Sequence, residues 1–295
     1  MIIIYTVCYN TPGYIEPQYT SLKKNVKDEF AYIIFNNTMT DSSITKQNID
    51  NNNELITICK KLNIQVYNVP KHIFHNDCVS TRAGTAIDFA NKLLFNNYDL
   101  TNTFFLLDSD AFLLTEFNIE AFMKNKKLSG RLQKRNGQTE EVQYITNQIV
   151  LYKPSLFETN LFFNNFSFLP GLVDSVQCDC GGNIHTILKQ CDLQNDFINW
   201  SNNLFTDIGN KMQMSGIAPG HTYEFDTAYI ETLDSALKDL IINDTKIVNK
   251  EFPICEIFGN THDTRVLFLH LRAGTNWMNF DIEQRTKNLF DYLSI

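Results

Sequence analysis

The sequence has fewer basic residues than acidic ones. Its 25 Lys and Arg residues are outnumbered by 33 Asp and Glu residues, which gives a formal net charge of −8. A nucleic-acid-binding protein draws most of its affinity from a basic face that contacts phosphates. The one basic run, residues 124–135, favours a solvated helix-and-loop surface over a flap above an anionic acceptor or a membrane. We therefore expect no nucleic-acid partner.

Long apolar runs and paired cysteines are also scarce. No window approaches the roughly 18 consecutive apolar residues that a membrane-spanning helix needs, and the first residues lack the basic segment of a signal peptide. Seven cysteines, an odd number spread over 295 residues, do not suggest a disulfide framework. These absences predict a cytoplasmic protein without a transmembrane segment.

The first 115 residues alternate apolar runs with segments of helical spacing. Each run ends in small polar or acidic residues, and the runs are residues 2–7, 31–35, 64–69 and 103–107. Continuous apolar strands indicate a sheet that is covered on both faces, and interleaved helices indicate parallel crossovers. The pattern predicts a doubly wound α/β half, in which ligands gather at the carboxyl ends of the strands.

Residues 116–295 are less regular. Residues 143–152 and 266–270 are predicted strands, and Cys180-Gly181-Gly182 is predicted to open a helix that runs through Leu188. The last fifteen residues have the pattern of a closing helix, with Asp281 as its cap. We expect one continuous domain with two halves, residues 1–115 and 116–295.

The most informative segment places Asp108, Ser109 and Asp110 directly after an apolar strand. Two carboxylates at i and i+2 project to the same side of an extended chain. They need partners there, because unpaired burial of charge costs several kcal/mol. Mn²⁺ or Mg²⁺ is a suitable partner, since both ions bind carboxylates together with substrate phosphates. The alternative is a turn whose aspartates cap the following helix through backbone N–H groups.

An apolar strand that ends in Asp-x-Asp, well after an N-terminal strand, resembles the GT-A superfamily of glycosyltransferases. The resemblance implies a Rossmann-like, mostly parallel central sheet flanked by helices, with an irregular acceptor-binding C-terminal half. It also implies that Asp110 binds the metal ion and that Asp108 bridges the metal ion and the ribose. The residues that it implies for the nucleotide are Thr6, Cys8, Tyr9, Asn36, Asn37, Arg82 and Ser109.

Two further segments resemble retaining members of this superfamily, the glycogenin-like group especially. Residues 270–277 are similar to a C-terminal His-x-x-Gly…Trp stretch, which implies His270 as the third metal ligand. The same likeness implies that Gly274, Asn276 and Trp277 close over the diphosphate. Residues 144–152 resemble the strand beneath the donor sugar, so Asn147 or Gln148 is expected to bind sugar hydroxyls. The alternatives are an ordinary polar histidine and an ordinary edge strand.

Asp179 and Asp174 are candidates for the reacting base. An inverting enzyme needs a base within hydrogen-bond reach of the acceptor hydroxyl, and both residues precede a Gly-Gly pair that allows a close approach to substrate. Either aspartate could instead cap a helix, and a retaining enzyme needs no such base. With Gln148, these two residues complete the candidate catalytic set.

Together these features predict a metal-dependent glycosyltransferase of the hexosyltransferase type. The donor is expected to be a nucleotide sugar, with UDP favoured by the resemblance, and the acceptor a glycan, a glycoprotein or a lipid-linked hydroxyl. A nucleotidyltransferase of related fold is the nearest alternative, although residues 9–13 lack the basic residue of its phosphate loop. An inactive carbohydrate-binding or structural module is the alternative from another class.

Overall fold

Strands and helices alternate through the first half of the chain, as the sequence predicts. The computed structural model describes residues 1–74, 78–203, 205–207, 223–225, 227–247, 255–271 and 282–293. The strands of this half are β1 (Ile2–Cys8), β2 (Phe30–Asn36), β3 (Gln65–Asn68), β4 (Thr103–Leu107) and β5 (Ala111–Leu113). Its helices are α1 (Ile15–Asn25), α2 (Lys46–Lys61) and α3 (Val79–Asn97).

The second half mixes short helices with antiparallel hairpins. Its strands are β6 (Leu128–Asn136), β7 (Glu141–Tyr152), β8 (Gly171–Val173), β9 (Val176–Cys178), β10 (Phe197–Asn202), β11 (Phe205–Asp207), β12 (Tyr223–Phe225), β13 (Cys255–Asn260) and β14 (Phe268–Leu271). Its helices are α4 (Ile119–Phe122), α5 (Thr159–Asn165), α6 (His185–Leu188), α7 (Thr227–Thr232), α8 (Ser235–Ile247) and α9 (Ile282–Leu293). None of the described helices is both long and apolar enough to cross a membrane.

Ten of the described strands form one sheet, in the order β3-β2-β1-β4-β7-β6-β10-β13-β14-β5. The first four strands are parallel to one another, and the pairs β4–β7 and β7–β6 are antiparallel. β10 runs parallel to β6, and β13, β14 and β5 complete the sheet with antiparallel pairs. The α/β class, with a large central sheet flanked by helices, is confirmed.

The apolar run of β1 is continuous because both faces of the sheet are covered. Ile2 and Ile4 pack in one core cluster with Leu22 of α1 and Leu55 of α2. The alternate residues of β1 pack in a second cluster with α3, and this cluster includes Ile3, Tyr5, Ala86, Ile87, Ala90 and Leu94. Full burial of an aliphatic side chain contributes about 1.5–3 kcal/mol, so the two clusters fix the layers that surround the sheet.

One face of α1 is polar and yet buried, because it covers the open edge of β5. The Leu113 N–H donates to Ser21 Oγ at 3.0 Å, and Asn25 Nδ2 donates to the Leu113 carbonyl at 2.9 Å. Gln18 Nε2 donates to the Ala111 carbonyl at 2.6 Å. Side chains of a helix therefore satisfy the backbone groups that a neighbouring strand would otherwise bind.

The segment after α5 is fastened to α3. Asp88 accepts hydrogen bonds from the Phe168 N–H at 2.7 Å and from the Ser167 hydroxyl at 2.6 Å. Gly84 of α3 allows this contact, since a Cβ atom there would lie 2.4 Å from the Phe168 carbonyl oxygen. The helix predicted from Cys180 through Leu188 is wrong in extent, because residues 182–184 form a 3₁₀ turn and the α-helix is only His185–Leu188.

Asp88 gives the fold a pH-dependent stability. Burial raises the pKa of Asp88 to about 6, against the opposing hydrogen bonds from Ser167 and Phe168. The folded state thus holds the proton more tightly than the unfolded chain, and the free energy of unfolding falls as the pH rises from about 4 to about 6. Asp88→Asn keeps an acceptor for the Phe168 N–H and removes the titration. We expect the free energy of unfolding of Asp88→Asn, relative to that of wild type, to rise by up to about 3 kcal/mol between pH 4 and pH 6.

Urea unfolding of both proteins at several pH values checks this expectation. Parallel curves of unfolding free energy against pH would show that Asp88 titrates as an ordinary surface carboxylate.

Candidate functional site

A cavity of about 430 Å³ lies between the carboxyl ends of β1 and β4 and the start of α3. Its apolar lining is Val7, Val79, Ala83, Ile87 and Leu106, and its polar lining is Tyr9, Asn10, Asn37, Arg82, Asp108, Ser109 and Asn147. Ligand sites of about 300–1,000 Å³ with an apolar lining and a few polar groups are usual for small molecules. The position, outside the carboxyl ends of parallel strands, is where α/β sheets bind ligands.

The turn between β4 and β5 carries both aspartates. The Ala111 N–H donates to the Asp108 carbonyl at 3.0 Å and closes the turn. On one side the Asp108 N–H donates to the Gln148 carbonyl of β7 at 2.9 Å, and on the other the Leu271 N–H of β14 donates to the Asp110 carbonyl at 2.8 Å. The turn therefore places Asp108 beside the cavity and Asp110 beside β14.

Gln18 of α1 holds this turn through its side-chain amide, which is fully buried. Its Nε2 donates to the Asp108 carbonyl at 2.7 Å and to the Ala111 carbonyl at 2.6 Å. Its Oε1 accepts from the Thr6 hydroxyl at 2.9 Å and from the Tyr32 hydroxyl. Two donors and two lone pairs are the full capacity of an amide, so a single side chain fixes the position of the aspartate turn.

His270 of β14 contacts Asp110 from the far side of the turn. Its Nε2 lies 3.2 Å from Asp110 Oδ1, and its Nδ1 lies 2.8 Å from Glu256 Oε2. Glu256 of β13 is the direct cross-strand partner of His270, and all three side chains are buried. Burial opposes a charged imidazole, but the carboxylates of Asp110 and Glu256 outweigh it and raise the pKa of His270 to about 10.

Asp108, Asp110 and His270 have the composition of a divalent-cation site. Each offers one ligand atom, and these atoms lie within 4.8 Å of one another, as no other His, Cys, Asp or Glu group does among the described residues. Burial and the negative charge of Asp110 raise the pKa of Asp108 to about 7, while the charge of His270 and the Ser109 N–H act against them. Two repelling carboxylates and an imidazole suit a divalent cation. The donor set therefore fits the predicted metal ion.

Arg82 supplies a fixed positive charge to the cavity wall. Its Nη2 lies 2.6 Å from Asp41 Oδ1 and donates to Thr40 Oγ1 at 2.8 Å. The guanidinium carbon lies 5.6 Å from the ring centroid of Tyr9 and 5.5 Å from that of Phe74. The Tyr9 hydroxyl in turn donates to the Asp41 carboxylate, at 2.9 Å from Oδ2. Ion pairing and cation–π contacts together restrict this side chain.

Six of the residues predicted to bind the nucleotide-sugar donor lie in the wall of the cavity. They are Tyr9, Asn37, Arg82, Asp108, Ser109 and Asn147. Asn147 Nδ2 also lies 3.4 Å from Asp108 Oδ2. The structure thus brings together the turns after β1 and β2, the first turns of α3, the aspartate turn and β7.

Thr6, Cys8 and Asn36 do not line the cavity. Thr6 and Cys8 lie on the opposite face of β1 from Val7, because successive strand residues point to opposite faces. The Thr6 hydroxyl is engaged with Gln18. Asn36 is buried and donates through Nδ2 to Asn52 Oδ1 at 2.7 Å and to Asn68 Oδ1 at 3.0 Å.

The two candidate bases lie in different surroundings. Asp174 is in the turn between β8 and β9, and it accepts from the Thr139 and Glu140 N–H groups at 2.7 and 3.0 Å. Asp179 accepts from the Cys180 N–H at 2.7 Å. Burial raises the pKa of the Cys180 thiol, and the charges of Asp179, Asp88 and Asp108 add to this effect. Asp174 therefore fastens the β8–β9 hairpin to the β6–β7 hairpin, whereas Asp179 bonds to the N–H of the next residue.

The remaining candidates lie on β7 and after β14. The Oε1 atom of Gln148 is buried and has no hydrogen-bond partner among the described residues. Gly274, Asn276 and Trp277 lie outside the residues that the structure describes.

Comparison with known proteins gives matches among solved structures alone, since no family model and no curated protein matches the sequence. The galactosyltransferase LgtC, in complex with donor and acceptor sugar analogs, matches at 12% identity and a TM-score of 0.34, over 52% of this chain and 58% of that one. The mannosyltransferase PcManGT from Pyrobaculum calidifontis, in complex with GDP-Man and Mn²⁺, matches at 11% identity and a TM-score of 0.39, over 82% and 61%. The glycosyltransferase GlyE in Streptococcus pneumoniae matches at 13% identity and a TM-score of 0.34, over 66% and 44%.

The chain spans less than two thirds of the length of each of these three structures. The names of all three describe glycosyltransferases. Similarity this low says nothing of substrate, so the chemistry of the site rests on its own side chains.

Several residues that organise the site carry no sequence motif. Gln18 and Asp41 are polar residues in ordinary surroundings, and only the fold brings them to the aspartate turn and to Arg82. The sequence gives one indication for Glu256: a carboxylate between apolar residues of a strand needs a buried partner. The prediction of a solvated helix-and-loop surface is wrong for Leu128–Asn136, which forms β6. There the side chain of Arg131 is only 22% exposed and its Nη1 lies 3.6 Å from Glu256 Oε1.

The role of Gln18 is open to a direct test. In Gln18→Leu the carbonyl of Ala111 loses a donor and the hydroxyl of Tyr32 loses an acceptor. The Asp108 carbonyl keeps the Ala111 N–H, and the Thr6 hydroxyl keeps the Leu107 carbonyl. Because unsatisfied buried groups cost about 1–3 kcal/mol each, we expect the free energy of unfolding to fall by about 2–4 kcal/mol. Urea unfolding measures this change.

Gln47→Leu is the matched control, because Gln47 is exposed on α2 and its Nε2 donates to Asn51 Oδ1 at 2.8 Å. Its stability should stay within about 0.5 kcal/mol of wild type. Equal stability of the two leucine variants would contradict the role assigned to Gln18.

Proposed function

We propose that the protein is a metal-dependent glycosyltransferase, which moves a sugar from a nucleotide-sugar donor to an acceptor hydroxyl. One observation carries the proposal: Asp108 belongs both to the lining of the cavity and to the group that it forms with Asp110 and His270. A metal site and a cavity of nucleotide size thus share a carboxylate. A bound diphosphate can then contact the cation while its nucleoside occupies the cavity.

The metal ion would act as a Lewis acid that offsets the charge developing on the departing diphosphate. In this proposal Asp110 and His270 hold the ion, and Asp108 bridges the ion and the ribose. Arg82 offers a second positive charge to the phosphates, at a position that Asp41 restricts in advance. Charges that are fixed before the reaction stabilise a transition state without reorganisation.

The rest of the cavity suits a nucleoside. Tyr9, Asn10 and Asn37 offer hydrogen-bonding groups to base and ribose, and Val79 and Ala83 offer an apolar wall. We propose UDP as the nucleotide, on the resemblance of the sequence to GT-A enzymes. GDP is the alternative, since PcManGT is in complex with GDP-Man.

Residues of β7 and of the segment before α6 are proposed for the sugar and the acceptor. Asn147 lines the cavity beside Asp108, and a sugar hydroxyl can donate to the buried Oε1 of Gln148. Asp179 is a better candidate base than Asp174, whose carboxylate is occupied by two backbone N–H groups. Gly274, Asn276 and Trp277 are proposed to close over the diphosphate. The acceptor is proposed to be a glycan, a glycoprotein or a lipid-linked hydroxyl.

Thermal unfolding with UDP or GDP, each with and without Mn²⁺, tests the donor site. We expect wild type to be stabilised by several degrees when UDP and Mn²⁺ are present together, since a ligand at 100 times its Kd contributes about 2.7 kcal/mol. Asp110→Asn should lose the metal-dependent part of this shift.

Asp50→Asn is the control variant, because Asp50 is an exposed residue of α2. The proposal fails if neither nucleotide stabilises wild type in a metal-dependent way. A larger shift with GDP than with UDP would correct the nucleotide, and hydrolysis of a panel of nucleotide sugars identifies the sugar.

Arg82→Lys separates phosphate binding from nucleoside binding. Lysine keeps the charge but lacks the planar fork that contacts Asp41 and a phosphate together. Because hydrogen bonds to charged groups contribute about 1.5–3 kcal/mol, we expect the Kd of UDP to rise about tenfold or more. The Kd of uridine, measured by the same calorimetry, should change less than about threefold. Equal losses for UDP and uridine would show that Arg82 shapes the cavity and does not bind phosphate.

A further inference from the structure

A buried carboxylate lies directly behind the histidine of the proposed metal site. Glu256 is 2% exposed, and it projects from β13 opposite His270 of β14. Its Oε2 lies 2.8 Å from His270 Nδ1. A buried carboxylate in the middle of a sheet needs such partners to offset its desolvation.

We propose that Glu256, supported by Arg131, is the positioning residue that orients His270 toward the metal ion. The inference rests on the proposed function, since it assumes a cation at Asp108, Asp110 and His270. Neither Glu256 nor Arg131 touches the cation in this proposal. Both act through the imidazole.

The surroundings of the ring leave it one orientation. Nδ1 faces Glu256, and Nε2 faces Asp110 Oδ1 at 3.2 Å. Phe258, two residues after Glu256 on β13, lies with its ring centroid 5.7 Å from that of His270. Arg131 also contacts Phe258, with its guanidinium carbon 5.3 Å from the ring centroid, and its Nη1 lies 3.6 Å from Glu256 Oε1. A carboxylate and a phenyl ring therefore confine the imidazole, and the guanidinium of Arg131 contacts both of them.

The chemistry of imidazole explains why this orientation matters. A neutral imidazole carries its hydrogen on one nitrogen and can bind a metal ion only through the other. An Nδ1–H that donates to Glu256 leaves the lone pair of Nε2 on the side of Asp110, where the cation would bind. Carboxylates commonly fix metal-binding histidines in this way, and their loss lowers metal affinity about 10- to 100-fold. A glutamine at this position accepts or donates, so it no longer selects the tautomer.

A purely structural role for Glu256 predicts something different. Removing one member of a buried ion pair lowers the stability of the fold, but it leaves the ligand geometry of the molecules that remain folded. The two roles are therefore distinguished by metal affinity and ligand spectroscopy on folded protein, and activity is not required.

The test compares wild type, Glu256→Gln and Glu140→Gln. The Kd of Mn²⁺ is measured from the electron paramagnetic resonance signal of the free ion, and circular dichroism confirms that each variant is folded. We expect Glu256→Gln to raise the Kd about 10- to 100-fold. Glu140→Gln is matched in chemistry, because Glu140 Oε1 lies 3.4 Å from His185 Nε2, away from the aspartate turn. Its Kd should stay within about twofold of wild type.

Cobalt absorption gives a second readout. The visible spectrum of bound Co²⁺ depends on its ligands, so Glu256→Gln saturated with Co²⁺ should shift toward the spectrum of His270→Ala. Should Glu256→Gln not fold, Arg131→Gln replaces it, since Arg131 is partly exposed and its loss leaves Glu256 without its second partner. An unchanged Kd and an unchanged Co²⁺ spectrum in the folded variant overturn the inference. Absence of Mn²⁺ binding in wild type would instead overturn the metal site of the proposed function.

Discussion

The turn from Asp108 to Ala111 is the constraint on which the site depends. It connects β4, in the parallel part of the sheet, to β5, which ends the strand order beyond β14. Only residues 108–110 separate the two strands, and so short a link spans at most about 14 Å, less than six strand spacings of about 4.8 Å. The sheet therefore curves back toward β4, and the turn holds two acidic side chains at the carboxyl end of β4. Bonds to β7, to β14 and to Gln18 of α1 fix both ends of the turn. The distance between the aspartates and His270 is thereby set by backbone geometry.

Charge in the site is arranged as two opposed groups. Asp108, Asp110 and Glu256 surround His270 at one end, and Arg82 is paired with Asp41 at the other. Each charge is partly or fully buried and is close to an opposite charge. Burial makes electrostatic interactions stronger than they are in water and makes an unpaired charge costly. A cation or a diphosphate bound here interacts more strongly with these charges than with exposed surface charges, because salt and water screen buried charges less.

The sequence predicts the parts of this arrangement that local pattern determines. A continuous apolar run predicts that β1 is covered on both faces, and Asp108 and Asp110 follow a strand as expected. The same continuity hides which residues of β1 face the cavity, because a run without alternation has no polar face. Val7 therefore lines the cavity where Thr6 and Cys8 were predicted. The pairing of Glu256 with His270 depends on strand register. The contact of Arg131 with Glu256 depends on β6, a strand that the sequence did not predict because its charged residues are typical of a solvated surface. Tertiary structure alone brings these residues together.

The contact between α1 and β5 also determines how the sheet ends. An edge strand ordinarily presents N–H and C=O groups to any other chain that can extend the sheet. Here Ser21, Asn25 and Gln18 occupy those groups on β5. At the opposite edge, β3 is only four residues long. A sheet of ten strands is thus closed at one margin by helix side chains and kept short at the other. The side chains of α1 that hold the aspartate turn thus also prevent another strand from pairing with β5 at these backbone groups.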